Sequence, residues 1–505
     1  MGIEISDRIK NKALLAKVTT AEAAADLIKD GMNIGVSGFT PAGYPKAVPL
    51  ALAKKVEAGQ APLKVNLWTG ASVGAELDGS WAKAGILGKR LPYQTNNDTR
   101  NAINAGKVNY TDLHLSHVAQ MSRYGFLGGG VDLAIIEACK ITEDGCIVGT
   151  TSEGNSASFV QSAKQVIVEI NVTQPEELEK MHDVYIPLDP PHRQPIPITK
   201  ADDRIGTTYI PCDPRKIVAI VPCDIIDGTR ALAAIDDDAK AMSGHLIEFL
   251  QNEIKQGRLP KNLLPLQSGV GSVANAVIAG LVDSPFENLS VYTEVVQDGM
   301  FDLIDAGKLV VASGTSLSPS PDALKRFYAN IGKYLPRLIL RPQEISNSPE
   351  IARRLGVIAM NTAIEYDIYG HVNSTHTLGT KMMNGIGGSG DFARNAYLTF
   401  FFTNSVAKKG DISSIVPMCS HIDSTEHDID VFVTERGVAD VRGLSPKERA
   451  KVIIEKTAHP DYQPLLRDYV KRAIDKLGPV HTPHLLGEAL SFHTRFAETG
   501  SMKVK

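Results

Sequence analysis

Short apolar runs of strand length alternate along the chain with stretches that have helical patterns. Strands that alternate with helices in this way are typical of α/β proteins with parallel sheets. Parallel strands are covered on both faces, which explains why the runs are almost continuously apolar. The runs that predict buried strands are NIGVSGF (33–39), KVNLWTG (64–70), VDLAIIEA (131–138), QVIVEIN (165–171), KIVAIVP (216–222), LPLQSGV (264–270), LSVYTE (289–294), LVVASG (309–314), IAMNTAIE (358–365), LTFFFTN (398–404) and SSIVPMC (413–419).

The first helix has recognisable start and stop signals. Thr19 and Glu22 have the spacing of a capping box, in which each side chain bonds a backbone N–H near the start of a helix. The segment AEAAADLIKD follows, and Gly31 ends it. We therefore expect a helix that begins after Thr19 and stops before Gly31.

The two halves of the chain resemble each other. Thr69 and Thr293 each follow a predicted strand and an aromatic residue, at an offset of 224 residues. Chance similarity between two apolar α/β segments is the alternative explanation. The ordered recurrence favours a duplication with its boundary near 225–245, and so predicts two related open α/β domains, at 1–230 and 231–505. Further matches at an offset of 233 residues pair Phe159 with Phe392, Ala163 with Ala396 and Asn171 with Asn404.

Two predicted connections are unusually long for an α/β protein. One covers residues 91–120, and the other covers residues 172–210 and contains PLDPPHRQPIP. Long ordered loops often carry binding surfaces. We therefore expect these two segments to contribute to substrate recognition.

Composition narrows the class of protein. The chain has 505 residues, is 43% hydrophobic and 22% charged, and has a formal net charge of −4. This small charge gives no electrostatic basis for binding nucleic acid or an anionic membrane. The amino terminus, MGIEISDRIKNKALLAK, has no long apolar stretch, so we expect no signal peptide and a cytoplasmic protein. The cysteines, which form no CxxC pair and are expected to be reduced thiols, are Cys139, Cys146, Cys212, Cys223 and Cys419.

The segment SGVGSVANAV (268–277) predicts a glycine-rich turn from a strand into a helix. Small residues let backbone N–H groups approach a ligand there, and a helix N-terminus favours negative charge. A tight turn without a ligand is the alternative. The segment lacks the third glycine and the acidic partner of a dinucleotide-binding fingerprint.

The segment VYTEVVQDGM (291–300) places Glu294 directly after a predicted strand. Open α/β sheets bind ligands at the carboxyl ends of their strands. A carboxylate in that position can act as a nucleophile that forms a covalent acyl intermediate. The alternative is a glutamate that caps the following turn.

Two further segments carry candidate chemistry. In NGIGGSGDFARNA (384–396), a glycine-rich loop is followed by a helix that we expect to begin at Asp391, and the loop can present backbone donors. It lacks the GK[ST] of a nucleotide-binding P-loop. In VTERGVADVRG (433–443), Glu435 and Arg436 follow a strand and form either a surface ion pair or part of a site.

Other catalytic patterns are absent from the sequence. GxSxG, HExxH and paired CxxC motifs do not occur, which argues against common hydrolases and metalloenzymes. His114 and His117 are spaced for one helix face but have no third ligand nearby, and His371 and His376 flank a polar turn. We interpret all four histidines as structural and expect no metal site.

Together these motifs resemble the acetyl-CoA hydrolase/transferase family of class I CoA-transferases. The resemblance extends from GVSGFTPAGYPKAVP (35–49) through EYDIYGHVNST (365–375) to VTERGVADVRG. It implies two related α/β domains with the active site at their interface. It also implies transfer of CoA between an acyl-CoA and a free carboxylate, with succinyl-CoA and acetate as the expected substrates.

The resemblance also implies roles for individual residues. Glu294 is the nucleophile, Asn347 and Glu435 are further catalytic residues, and Val270 and Gly388 offer backbone N–H groups to the oxyanion. The repeat places Gly70 where the second domain has Glu294, so Ser72 and Thr95 are expected to bind the carboxylate substrate. The residues implied in binding CoA are Gly269, Val270, Gly271, Ser272, Val273, Ile364, Asn384, Gly388 and Lys408.

The implied reaction passes through an anhydride and a glutamyl-CoA thioester on Glu294. Because the thioester conserves the energy, no metal and no permanently bound cofactor are expected, and coenzyme A is a substrate. Acyl-CoA and small carboxylates are the expected partners, without nucleic acid or membrane, in a homodimer. The alternatives are an acetyl-CoA hydrolase on the same scaffold and a non-catalytic α/β protein that binds CoA or phosphate.

Overall fold

The computed structural model describes residues 3–59, 62–229, 231 and 235–504. Helices and mostly parallel strands alternate, so the predicted α/β class is confirmed. The strands of the first repeat are β1 (Asn33–Val36), β2 (Val65–Trp68), β3 (Leu87–Leu91), β4 (Asn109–Tyr110), β5 (Leu133–Ala138), β6 (Lys140–Ile141), β7 (Ile147–Val148), β8 (Gln165–Asn171) and β9 (Ile217–Cys223). Its helices are α1 (Ala21–Ala25), α2 (Ala47–Glu57), α3 (Ser80–Lys83), α4 (Asn97–Asn104), α5 (Leu115–Arg123) and α6 (Ser156–Ser162).

The first repeat forms a seven-stranded parallel sheet in the order β4-β3-β2-β1-β5-β8-β9. All six residues of β5 are buried, because apolar clusters cover both faces of the sheet. The sheet therefore forms the buried centre of the first repeat, and the loops that follow its strands lie at its carboxyl edge.

The second repeat follows the same plan with more short strands. Its strands are β10 (Leu266–Ser268), β11 (Leu289–Tyr292), β12 (Val295–Val296), β13 (Leu309–Gly314), β14 (Ser316–Leu317), β15 (Leu338–Leu340), β16 (Ile358–Thr362), β17 (Glu365–Asp367), β18 (Val372–Asn373), β19 (His376–Thr377), β20 (Lys381–Met382), β21 (Leu398–Phe402), β22 (Val406–Ala407), β23 (Ile412–Ser413), β24 (Ile415–Val416), β25 (Val431–Thr434) and β26 (Gly437–Asp440). Its helices are α7 (Asp237–Lys255), α8 (Ser272–Val282), α9 (Asp298–Asp305), α10 (Pro321–Ala329), α11 (Ile331–Tyr334), α12 (Gln343–Ser346), α13 (Pro349–Leu355), α14 (Ser389–Ala393), α15 (Pro446–Thr457), α16 (Gln463–Leu477) and α17 (Ser491–Thr499).

The chain forms two compact units that do not follow the predicted boundaries. The amino-terminal unit comprises Met1–Ala231, Ser290–Ile304 and Leu309–Leu355, and the carboxyl-terminal unit comprises the remaining segments, Leu232–Leu289, Asp305–Lys308 and Gly356–Lys505. The predicted domains, 1–230 and 231–505, divide the chain by repeat, whereas these units divide it by packing. The segment that carries Glu294 accordingly packs in the amino-terminal unit.

Strand order reflects the duplication. The order β15-β13-β11 in the amino-terminal unit repeats β4-β3-β2, and the order β10-β16-β21-β25 in the carboxyl-terminal unit repeats β1-β5-β8-β9. Thr69 and Thr293 follow the equivalent strands β2 and β11. The carboxyl-terminal unit adds β26, which pairs antiparallel with β25.

Several predicted elements differ in detail. Thr20, and not Thr19, caps α1 by accepting a hydrogen bond from Ala23 N at 3.2 Å. The helix ends at Ala25, because turns with i to i−3 bonds carry the chain on to Gly31. Residues 91–120 are not one loop but contain α4, β4 and the start of α5. The run at 358–365 forms two strands, β16 and the start of β17, and α14 begins at Ser389, before Asp391.

A buried charge cluster lies in the amino-terminal unit and has no counterpart among the predicted sites. Lys46 Nζ lies 2.5 Å from Glu137 Oε2 and 3.0 Å from Asp227 Oδ1, and these side chains are almost fully buried. Burial alone would lower the pKa of Lys46, but the carboxylates of Asp227 and Glu137 raise it well above its usual range. The cluster therefore keeps its cation and cross-links β5 to the chain after β9.

Among the described residues, none of the helices is long and apolar enough to cross a bilayer.

Candidate active site

Glu294 lies between β11 and β12 and is half-buried. Its carbonyl oxygen accepts hydrogen bonds from Thr315 N at 2.7 Å and Ser316 N at 3.2 Å, and Thr293 N donates to Ser313 O at 2.9 Å. Helix α9 begins later, at Asp298, so Glu294 is not at the start of a helix. We call residues 293–296 the Glu294 segment, and its backbone is hydrogen-bonded to residues 313–316.

Gly314 allows the close approach of this segment to β13. A Cβ atom at residue 314 would lie 2.9 Å from the carbonyl oxygen of Glu294, which is closer than real Cβ contacts. The neighbouring strand β14 pairs parallel with β12, with Val295 opposite Ser316. The glycine at the end of LVVASG is therefore required by the backbone that positions Glu294.

An apolar cluster holds the same segment to the first repeat. Val295 is buried with Phe39, Ala71 and Leu115, and Tyr93 packs against them. Ser316 Oγ also donates to the carbonyl oxygen of Phe39 at 2.8 Å. The residue next to Glu294 thus lies among side chains from loops at the carboxyl edge of the first sheet.

Thr315 connects the Glu294 segment to the loop before α6. Besides the bond from its N–H to Glu294 O, Thr315 accepts two hydrogen bonds. Its carbonyl oxygen accepts one from Glu153 N at 2.8 Å, and its hydroxyl oxygen accepts one from Gly154 N at 3.0 Å. Gly154 O in turn accepts Gln343 N at 2.8 Å. The backbone at Glu294 is therefore part of one hydrogen-bonded network that spans both repeats within the amino-terminal unit.

A buried acid–imidazole pair lies behind this network. His182 Nδ1 is 2.5 Å from Glu153 Oε1, and both side chains are fully buried. The next residue, Asp183, forms an ion pair with the buried Arg341, whose Nε donates to Ser313 Oγ at 2.8 Å. The Arg341 contacts tie the end of β15 to Ser313 in β13, the strand next to β11.

Ser72 and Thr95, the predicted substrate-binding pair, lie side by side. Their hydroxyl oxygens are 3.0 Å apart, Ser72 is buried and Thr95 is half-buried. Thr40 N donates to the carbonyl oxygen of Ser72 at 2.8 Å. The structure thus brings together two hydroxyls from loops that are 23 residues apart in the sequence.

Asn347 directly follows α12 and lies two residues before α13 begins at Pro349. Its Oδ1 accepts Ser346 Oγ at 2.8 Å, whereas its Nδ2 is buried and has no hydrogen-bond partner within the described part of the chain. Tyr292, whose pKa is raised by burial, donates its hydroxyl proton to Ile345 O at 2.5 Å. Strand β11, which contains Tyr292, is therefore tied to the turn at Asn347. A buried donor without a partner, such as this Nδ2, is unusual in a protein interior.

The first glycine-rich turn has the predicted form. Strand β10 ends at Ser268, Gly269 N donates to Met360 O at 2.9 Å, and α8 begins at Ser272. Gly271, at φ 118°, precedes the helix in a conformation that favours glycine. Val270 is 39% exposed, so the backbone of this turn is accessible. Val273 lies in the first turn of α8.

The second glycine-rich loop also leads into a helix. Gly388 directly precedes α14, and its carbonyl accepts Phe392 N at 3.0 Å. Gly387 has φ 60°, another left-handed conformation. Asn384 lies four residues before Gly388 in the same loop. Both predicted oxyanion donors, Val270 and Gly388, thus lie directly before helices in the carboxyl-terminal unit.

The remaining predicted residues also lie in the carboxyl-terminal unit. Ile364 is half-buried directly before β17, and Lys408 is exposed in the turn between β22 and β23. The Glu435 carboxylate accepts Ser405 N at 2.8 Å and Arg436 Nε at 3.0 Å. The ion pair with Arg436, one of the two interpretations of Glu435, therefore exists. The carboxylate also accepts a backbone N–H, which the sequence did not indicate.

The structure groups the predicted residues by unit. Glu294, Asn347, Ser72 and Thr95 lie in the amino-terminal unit, and the others lie in the carboxyl-terminal unit. Sequence reasoning missed Thr315, Gln343 and Gly154. The repeat offset of 233 residues would have revealed Gly154, because it pairs Gly154 with Gly387. Both glycines have positive φ angles, 49° and 60°.

This fold is shared with solved structures. RipA from Yersinia pestis is 22% identical, with a TM-score of 0.70 over 91% of this chain and 98% of that chain. A 4-hydroxybutyrate CoA-transferase from Porphyromonas gingivalis is 19% identical, with a TM-score of 0.64 over 91% of this chain and 99% of that chain. The protein thus belongs to the class of α/β proteins whose fold is also found in a CoA-transferase.

Its family follows from sequence. The model for the acetyl-CoA hydrolase/transferase N-terminal domain matches residues 4–222, and the model for the C-terminal domain matches residues 324–470. The chain therefore belongs to the acetyl-CoA hydrolase/transferase family and is an enzyme, which confirms the predicted resemblance.

Two curated relatives cover almost the whole chain. A succinyl-CoA:acetate CoA-transferase from Clostridium kluyveri is 59% identical over 496 residues, which are 98% of this chain and 92% of that protein. An acetyl-CoA hydrolase from Candida glabrata is 48% identical over 516 residues, which are 99% of this chain and 98% of that protein. Relatives of both kinds are therefore similar along more than nine-tenths of their lengths.

We predict that Gly314→Ala slows turnover of acyl-CoA. The new methyl group would push on the carbonyl of Glu294, and a shift of about 1 Å in an active site can cost roughly a hundredfold in rate. Gly332→Ala is the matched control, because a Cβ there meets nothing within 4 Å. Steady-state kcat and a melting curve should be measured for both variants. An unchanged kcat in folded Gly314→Ala protein would show that this contact does not position Glu294.

We also predict that Asn347→Ala lowers kcat about tenfold or more with little change in melting temperature, because its Nδ2 is an unused buried donor. Ser346→Ala, which removes the bond to Oδ1 and leaves Nδ2 in place, should have a much smaller effect. Equal losses of kcat in both variants, or a kcat/KM near wild type for Asn347→Ala, would assign Asn347 a structural role.

Proposed function

We propose that this enzyme transfers CoA from succinyl-CoA to acetate through a thioester on Glu294. The observation that carries the proposal is the 59% identity, over 98% of the chain, to a protein named for that reaction. The position of Glu294 supports it, because Glu294 follows a buried strand and its backbone is fixed by hydrogen bonds to residues 313–316. Such fixing reduces the entropy lost when a nucleophile meets its substrate.

The proposed chemistry proceeds in four balanced steps. A carboxylate oxygen of Glu294 attacks the thioester carbonyl of succinyl-CoA, and the CoA thiolate leaves to give a mixed anhydride. The thiolate then attacks the glutamyl carbonyl, which releases succinate and forms glutamyl-CoA. Acetate then attacks the glutamyl-CoA thioester, and the CoA thiolate leaves to give a second mixed anhydride. The thiolate attacks the acetyl carbonyl of that anhydride, which forms acetyl-CoA and restores the carboxylate of Glu294. No proton or electron is consumed overall.

Each attack produces a tetrahedral oxyanion, and donors aimed at it lower the barrier. Removing one such donor typically costs about 2.7–4 kcal/mol. The family resemblance assigns this role to the N–H groups of Val270 and Gly388. We further propose that the unused Nδ2 of Asn347 donates to a reacting oxygen, which its buried position supports.

We propose that Ser72 and Thr95 select the carboxylate substrate. Their hydroxyl oxygens, 3.0 Å apart, can both donate to one small carboxylate if their mutual hydrogen bond opens. That the enzyme is a cytoplasmic homodimer is a prediction of the sequence alone.

The second candidate is hydrolysis of acetyl-CoA, which the 48% identity to the Candida glabrata protein favours. A hydrolase would use the same residues but let water attack the covalent intermediate. A transferase instead excludes water, because hydrolysis wastes the thioester. Dependence on an acceptor carboxylate therefore separates the two functions.

We predict ping-pong kinetics with succinyl-CoA and acetate. Parallel double-reciprocal lines are expected, because the first product leaves before acetate binds. Glu294→Ala should abolish transfer without unfolding the protein, and Gly332→Ala serves as the control. Intersecting lines would contradict the covalent mechanism, and equal CoA release with and without acetate would assign hydrolysis instead.

A further inference from the structure

The Glu153–His182 pair is buried in the amino-terminal unit, and its polar atoms are only partly used. His182 Nδ1 and Glu153 Oε1 lie 2.5 Å apart, and neither side chain reaches solvent. The outer atoms, His182 Nε2 and Glu153 Oε2, have no hydrogen-bond partner among the residues that the structure describes. Apolar side chains of similar size are often at least as stable as a buried polar pair. The stability of the fold alone therefore does not explain this pair.

A single residue, Thr315, connects Glu153 to the backbone of Glu294. Glu153 N donates to Thr315 O at 2.8 Å, and Gly154 N donates to the Thr315 hydroxyl at 3.0 Å. Thr315 N in turn donates to Glu294 O at 2.7 Å. A displacement of the turn at Glu153 would therefore be passed on to the carbonyl of Glu294.

His182 reaches the same place by a second route. It pairs as a parallel bridge with Leu340 at the end of β15. Arg341, which follows Leu340, donates its backbone N–H to Gly314 O at 2.8 Å. Gly314 is the residue that allows the close approach of Glu294 O. The backbone of His182 is therefore tied through two contacts to the end of β13, beside Glu294.

The Glu153–His182 contact closes a ring around this part of the backbone. The ring runs through residues 314–315, 153, 182 and 340–341 and lies entirely within the amino-terminal unit. Without the contact, the two routes would be separate supports that could move independently. Gly149 encloses the pair, since a Cβ atom there would lie 3.3 Å from His182 Cε1 and 3.4 Å from Glu153 Oε1. Because packed side chains leave little room for movement, the two routes are held together.

We propose that Glu153 and His182 are positioning residues, which hold the backbone of Glu294 in place for its attack on the thioester. They act through Thr315 and Gly314 and not on the substrate. Reacting groups need to be placed to within about 0.5 Å, and a misplacement of about 1 Å can cost roughly a hundredfold in rate. This inference rests on the proposed function, since it takes Glu294 as the nucleophile.

The test replaces the pair by apolar side chains of similar size. The Glu153→Met/His182→Leu double variant leaves no polar side chain at either position, so we expect a melting temperature close to that of wild type. Apolar contacts have no preferred direction and do not fix the two routes at one separation. We therefore expect kcat to fall about tenfold or more, with KM for succinyl-CoA and acetate nearly unchanged. Wild-type kcat in a stable double variant would overturn the inference.

His371→Leu is the matched control, because it also removes an imidazole that contacts a buried carboxylate. His371 Nδ1 lies 3.1 Å from Asp367 Oδ2 in the carboxyl-terminal unit. This variant should keep the wild-type kcat. A loss of kcat as large as that in the double variant would overturn the inference, because it would show that the effect is not specific to the ring.

Gly149→Ala disturbs the pair without removing it, and so tests the inference even if the double variant does not fold. The new methyl group would press on both side chains and shift them by a few tenths of an ångström. We expect kcat to fall roughly threefold with KM unchanged. Gly332→Ala, in which the Cβ atom meets nothing within 4 Å, should keep the wild-type kcat. Equal kcat values in these two variants would contradict the proposed positioning.

Hydrogen exchange separates this inference from the proposed function. The amides of Thr315 and Ser316 both donate to Glu294 O, so their exchange with deuterium reports how firmly that backbone is held. Exchange at both amides should be about tenfold faster in the double variant than in wild type, and unchanged in His371→Leu. This pattern in a protein without transferase activity would refute the proposed reaction and leave the positioning contact standing. Transfer by wild type, with unchanged exchange and kcat in the double variant, would refute the inference alone.

Discussion

The hydrogen bond from Thr315 N to Glu294 O is the contact on which the proposed chemistry most depends. It ties Glu294 to Thr315, whose carbonyl oxygen accepts a hydrogen bond from Glu153 N and whose hydroxyl accepts one from Gly154 N. The backbone of Glu294, the proposed nucleophile, is therefore fixed by main-chain atoms. A carboxylate held in this way loses little freedom when it attacks a thioester.

The sequence was sufficient to predict the fold class and the repeat. Continuous apolar runs allow little besides parallel strands, and matching positions such as Thr69 and Thr293 do follow equivalent strands. Glycine-rich turns before Val273 and after Asn384 were also predictable, because glycine in a strand-to-helix turn has few other uses. These features depend on local residue type, which a sequence shows directly.

Other features depend on contacts between distant residues, which a single sequence does not show. Nothing near Lys46 indicates that Glu137 and Asp227 surround it, and nothing near Gly314 indicates that Glu294 O leaves no room for a side chain. The grouping of residues 290–304 and 309–355 with the amino-terminal unit is likewise a result of packing. Thr19 was the wrong cap because Thr20, one residue later, also has the required hydroxyl.

Mass spectrometry of the trapped intermediate tests the central claim most directly. The protein is incubated with succinyl-CoA in the absence of acetate, digested, and analysed with and without borohydride. The account predicts CoA on the peptide that contains Glu294, in a thioester that borohydride reduces. Modification of a different residue, or an unmodified Glu294 peptide under conditions of turnover, would contradict the account.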